Sequence, residues 1–128
     1  MRLWTIAAML VVASTGSALA QDLAAGEKSF AKCRACHDIG PNAKNKVGPE
    51  LNGLDGRKAG TLEGYNFTPA NRDSGITWTA ESFDNYIRNP SAAIPKTRMA
   101  FLGISNANER KDLWAYLAQF DATGNIKK

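Results

Sequence analysis

Apolar residues recur at helical spacing in three stretches of this 128-residue chain. In "SNANERKDLWAYLAQF", Leu113, Trp114, Leu117 and Phe120 form a stripe, with Asn106 placed as N-cap and Glu109 three residues on. In "TWTAESFDNYIRNP", Thr79 is the cap, Phe83, Tyr86 and Ile87 are the apolar face, and Pro90 is the terminator. Asp22 caps a third segment that puts Gly26 and Phe30 on one face and runs towards Cys33. A short helix is predicted at "TPANRD", with Thr68 as cap, Pro69 in the first turn and Gly75 closing it. From Asp38 to Gly64 the chain is rich in Gly, Pro and Asn and lacks the alternation of strands. The pattern predicts an all-α chain of three main helices and a short one, joined by long loops. Loops of that length in a small domain are usually functional or wrapped around something.

Residues 1–20 follow a different logic. Arg2 precedes an apolar run from Leu3 to Ala13, and small residues end the segment at Ala18-Leu19-Ala20. That is the layout of a secretory signal cleaved before Gln21, and the apolar run is well short of the ~20 residues that span a bilayer. Residues 21–128 then form one domain without linker or repeat. The whole chain carries a net charge of +4, of which Arg2 supplies one. So mild a basic balance, with no charge run, argues against nucleic acid as a partner and favours weak docking on an acidic protein surface.

The chemistry is concentrated at "KCRACHD", where both cysteines and the only histidine fall within five positions, Cys33 to His37. Export makes a Cys33–Cys36 disulfide the default expectation. The adjoining histidine changes it: Cys-x-x-Cys-His is the attachment signature of c-type haem, in which two thiols join the porphyrin and the next imidazole meets the iron. A thiol redox pair is the alternative, although the strand-then-helix context of a thioredoxin-like unit is missing. A zinc site lacks a fourth ligand. For the far side of a haem iron, a second histidine is excluded by composition. Methionine occurs only at positions 1, 9 and 99, so Met99 is the one thioether outside the leader. Residue reading leaves Met99, a lysine and an open iron site as alternatives, and a methionine of this kind is as often a core gap-filler.

Four ordered blocks, "GEKSFAKCRACH", "KVGPELNGLDGRKAG", "GYNFTPANRDSGITW" and "IPKTRMAFLGI", followed by "ERKDLWAYL", resemble the soluble class I cytochromes c of mitochondrial type and their bacterial periplasmic counterparts. The resemblance covers nearly all of residues 21–128. It implies the class I cytochrome c fold, all-α around one covalent haem c, with the first and last helices crossing where Gly26 and Phe30 meet Leu113 and Tyr116. It implies thioether bonds at Cys33 and Cys36, His37 and Met99 as axial iron ligands, and Pro49 as the carbonyl that holds the His37 ring. Arg57 and Trp78 match groups that hydrogen-bond a haem propionate. Asn71, Tyr86 and Thr97 match the polar residues near the sulfur, and Phe101 the aromatic that shields it. Two positions depart from the mitochondrial pattern. Phe67 stands where a tyrosine is usual, and Ser91 and Ala92 stand where lysines occupy the docking face.

With both axial positions filled, the resemblance implies a one-electron carrier and not an enzyme, located in the periplasm. A peroxidase-like haem enzyme is the alternative if Met99 is detached. The implied partners are redox proteins such as a cytochrome bc complex, a terminal oxidase, a photosynthetic reaction centre or a periplasmic dehydrogenase, met transiently by a monomer. Lys28, Lys32, Lys44, Lys46, Lys96 and Arg98 flank the haem-bearing segments and are the cations expected to steer docking.

Overall fold

A computed structural model describes residues 22–128; the expected leader, 1–20, lies outside the described residues. Among the described residues five helices follow one another: α1 (Leu23–Phe30), α2 (Pro69–Arg72), α3 (Ala80–Arg88), α4 (Pro90–Ala93) and α5 (Ala107–Ala118). Among the described residues the only β pairing is two isolated bridges, Lys58 with Thr77 and Phe120 with Ile126. The all-α expectation stands.

Each helix begins where a short polar side chain can take an orphan amide of the first turn. Asp22 accepts from the Ala25 amide, Thr68 from Asn71, Thr79 from Ser82, and Asn106 from Glu109. The element not predicted is α4. Pro90 does end α3, but it also opens a new turn, because proline has no amide proton to leave unpaired there and Asn89 caps the turn by accepting from Ala92.

Helix α1 lies across α5, and α3 packs against α5 from another side. The α1–α5 crossing is close because Gly26 has no side chain: a Cβ there would stand 2.1 Å from the Asp112 carbonyl oxygen. Beside it the Phe30 and Tyr116 rings meet at 5.7 Å, and the Asp22 amide donates to Asp112 Oδ1 at 3.0 Å. Phe83 of α3 stacks against Trp114 of α5 at 5.2 Å. Phe30, Leu113 and Leu117 are wholly enclosed. The loop of residues 38–64 is held without strands. Buried Asn52 stands in for backbone, accepting from the Gly40 amide at 2.8 Å and donating to the Gly40 carbonyl at 2.9 Å.

Candidate functional site

Helix α1 stops at Phe30, three residues before Cys33, and the chain continues in tight turns. The Cys33 amide donates to the Phe30 carbonyl at 2.8 Å, and the Cys33 carbonyl then accepts from Cys36 at 3.1 Å and His37 at 2.8 Å. One turn of backbone thus presents two sulfurs and an imidazole together. Cys33 is half-buried, Cys36 exposed and His37 buried.

These side chains open onto a cavity of about 440 Å³, within the usual ~300–1,000 Å³ of cofactor sites. Cys33, Cys36, His37 and Pro49 line it on one stretch of chain, Arg57 and Trp78 on others, and Met99 completes the set named from the sequence. Asn71, Tyr86, Thr97, Phe101 and Phe67 line it as well. Much of the remaining wall is apolar: Leu51, Leu54, Phe83, Ile87, Leu113 and Leu117, from the loops, α3 and α5. Composition around the motif does not single these six out, although the apolar faces of α3 and α5 are legible.

His37 Nδ1 lies 2.7 Å from the Pro49 carbonyl oxygen, so that nitrogen carries the proton and Nε2 keeps its lone pair. Burial lowers the imidazole pKa against the raising effect of the Pro49 bond, and the charges of Arg57 and Lys46 lower it further. The ring is therefore held neutral, the form that coordinates a metal. Gly48 beside it has room for no side chain, since a Cβ would come within 2.4 Å of the ring.

Across the chain, the Tyr86 hydroxyl donates to Met99 Sδ at 3.1 Å, with Thr97 also within its reach. Burial raises the Tyr86 pKa, so the donor proton stays in place, and one sulfur lone pair is left over. Arg57 and Trp78 are tied by the Trp78 amide to the Arg57 carbonyl at 2.9 Å. The Arg57 guanidinium reaches only the carbonyls of Glu50 and Asn52, each at 3.2 Å. Burial lowers its pKa, with Glu50 opposing.

These observations suit a mostly apolar group with an anionic edge. The wall is apolar, and the Arg57 guanidinium that lines it is hydrogen-bonded only to neutral carbonyls. They do not suit the thiol redox alternative. Burial pushes the Cys33 thiol up to about 11, whereas a reactive Cys-x-x-Cys thiol lies at or below ~7.5. Nor do three His, Cys, Asp or Glu side chains among the described residues converge as a zinc site would need.

One feature absent from the sequence reading is a bridge across the rim. Arg98 Nη2 donates to the Tyr65 hydroxyl at 3.1 Å and to the Asn66 carbonyl at 2.9 Å, and Tyr65 donates to the Val47 carbonyl at 2.6 Å. Three of the six cations expected to steer docking are thereby engaged by their own chain: Arg98 here, Lys32 with Glu109, and Lys46 with the Arg34 carbonyl at 2.9 Å. Lys28, Lys44 and Lys96 are exposed.

Residues 23–121 match the family model for cytochrome c. The chain is 56% identical over 106 residues to cytochrome c-550 of Nitrobacter winogradskyi, covering 83% of this chain and 97% of that protein. It is 51% identical over 127 residues to cytochrome c2 of Blastochloris viridis, covering 99% and 100%. Among solved structures, cytochrome c2 of Rhodospirillum centenum superimposes with a TM-score of 0.73 at 40% identity, covering 78% of this chain and 98% of that one. A cavity of cofactor size lined by a Cys-x-x-Cys-His turn, and relatives alike over nearly their whole length, lead to one conclusion: the chain belongs to the cytochrome c family, an electron carrier holding one covalent c-type haem and not an enzyme.

Proposed function

We propose that Cys33 and Cys36 form the two thioethers, that His37 Nε2 and Met99 Sδ are the axial ligands, and that the protein shuttles single electrons in the periplasm after cleavage of residues 1–20, with 21–128 as the mature domain. The observation that carries this reading is that His37 and Met99, 62 positions apart in the numbering, line one cavity with both cysteines. The bound haem iron supplies the reversible one-electron couple. The chain's own residues do the rest. Pro49 fixes the imidazole, Tyr86 orients the thioether, and Arg57 and Trp78 receive the anionic edge. The apolar wall excludes water, which together with soft sulfur favours the ferrous state. A ligand set that is the same in both oxidation states keeps reorganisation small.

The absorption spectrum of the haem-loaded protein tests the ligand set. Sharp reduced bands together with the weak far-red ferric band of iron–sulfur bonding are the expected result. Reduced bands without that ferric feature remove Met99 from the iron and favour a ligand-binding or peroxidase-like role.

Partners are proposed to be acidic faces of a cytochrome bc complex, a terminal oxidase, a photosynthetic reaction centre or a periplasmic dehydrogenase. With Ser91 and Ala92 exposed on α4 in place of lysines, and Lys32 paired with the Glu109 carboxylate, steering falls to Lys28, Lys44, Lys46, Lys96 and Arg98; Lys46 and Arg98 donate only to neutral oxygens and keep their charge. The bimolecular electron-transfer rate with such a partner is expected to fall about tenfold as ionic strength rises from about 0.01 to about 0.3 M. Stopped-flow rates that stay flat across that range remove electrostatic steering from the account.

A further inference from the structure

Arg110 is the one lysine or arginine classed as buried among the described residues, at 7% exposed. A cation so placed needs partners of defined geometry. Its Nε donates to Asp84 Oδ1 at 2.7 Å, and its Nη1 donates to the carbonyls of Ile104 and Ser105 at 3.0 and 2.8 Å. Those two carbonyls end the loop that begins at Met99. The same loop is pinned to α3 at both ends and at adjacent residues. Tyr86 holds the Met99 sulfur, and the Ile87 carbonyl accepts from the Ile104 amide at 2.9 Å. Asp84 lies on the same helix and is further fixed by Arg88 Nη2 at 3.2 Å.

The middle of the loop has little apolar hold of its own, since Leu102 is 98% exposed and Phe101 only half-buried. Gly103, at φ 111°, presses so closely on α3 that a Cβ would stand 2.1 Å from the Arg88 carbonyl oxygen. Anchoring at the two ends, by hydrogen bonds and by the Ile104 side chain buried in the core, therefore decides where the sulfur sits.

We propose that the Asp84–Arg110 pair is a positioning device for Met99: it locks α3, the Met99–Ser105 loop and the start of α5 in one register and so keeps outside ligands from the iron. This rests on the assignment of Met99 as an iron ligand. Removing the Asp84 charge leaves the guanidinium without its opposing charge in a buried place. Arg110 then turns towards water and lets go of the Ile104 and Ser105 carbonyls. An outside ligand binds only when the sulfur is off the iron, so its apparent affinity rises in proportion to the detached fraction.

The test is imidazole titration of haem-loaded, ferric Asp84→Asn, with Asp84→Glu as the conservative variant and Asp22→Ala as a control that loses the α1 cap and removes no hydrogen bond of Asp84, Arg110 or the loop. Asp84→Asn is expected to keep the far-red band at neutral pH but to bind imidazole about tenfold more tightly than wild type. Asp84→Glu should recover most of the difference. Asp22→Ala should lower the denaturation midpoint and leave imidazole affinity unchanged. If Asp84→Asn does not mature, Arg110→Lys is read in the same way, because lysine lacks the planar fork whose separate Nε and Nη1 donors reach Asp84 and the two carbonyls. Imidazole affinity at the wild-type value, with the band present in wild type, overturns the positioning role alone. A wild-type protein without the band overturns the ligand assignment and this role with it.

Discussion

Substitution of Met99 by alanine is expected to abolish the far-red ferric band and to lower the reduction potential by on the order of 0.2–0.3 V, within the ~0.8 V that axial ligands span in haem proteins. The sign follows from softness. A thioether stabilises ferrous over ferric iron, and whatever replaces it here is harder. The other methionines stand at positions 1 and 9, in the segment proposed to be cleaved, and His37 is the only imidazole, so the sixth position passes to water, a lysine amine or an added ligand. A second effect accompanies the first. Tyr86 loses the sulfur it donates to, and its raised pKa keeps the proton on a buried hydroxyl. A buried donor left unsatisfied costs about 1–3 kcal/mol. Redox titration, the ferric spectrum and a denaturation curve read all three consequences. An unchanged potential with the far-red band intact would mean that Met99 is core packing and that another group meets the iron.

What the sequence made legible were features encoded locally. Capping side chains and a 3.6-residue stripe marked α3 and α5, and five consecutive positions marked the Cys33–His37 turn. The short helix α4 escaped because four residues carry no periodicity, and Pro90 reads equally as a stop or a start. At Glu109 a local rule met a tertiary one. Its position three residues after Asn106 suggests a side chain turned back to the cap, yet it accepts instead from Ser29 and Lys32 of α1. That engagement, with Lys32 and Ser29 as the leading causes, lowers the Glu109 pKa. The same limit applies around the cavity. Cys33, His37 and Met99 could be named from residue type and order, whereas the Arg98–Tyr65–Val47 bridge joins residues 33 and 18 positions apart. The Asp84–Arg110 pair joins residues 26 apart. Such partners become visible only once the chain has folded, because nothing in the sequence near either member specifies the other. Charge shows the point most plainly: six cations looked equivalent in the sequence, and folding engages three of them.

Gly26→Val is expected to destabilise the folded protein by about 4 kcal/mol, at the upper end of single-residue effects and a large share of the ~5–15 kcal/mol that holds a domain together. Gly26→Ala should cost about 2 kcal/mol. In an isolated helix the alanine variant would do the opposite, because alanine is favoured over glycine by about 1 kcal/mol. The sign is therefore set by what faces position 26. That is the backbone of α5: a Cβ would stand 2.1 Å from the Asp112 oxygen and 2.8 Å from both the Asp112 carbonyl carbon and Tyr116 Cβ. Backbone in mid-helix cannot swing aside as a side chain can, so the two helices must separate. Every contact along the crossing then suffers together, including Phe30 on Tyr116, the Asp22 amide on Asp112, and Glu109 on Ser29 and Lys32. The consequence reaches the site from both sides, since α1 leads directly into the Cys33–His37 turn and α5 supplies Leu113 and Leu117 to the cavity wall. Denaturant midpoints and the yield of covalently attached haem should fall in the order glycine, alanine, valine. An alanine variant as stable as the wild type would show that the crossing tolerates a wider spacing and that the haem pocket does not depend on it.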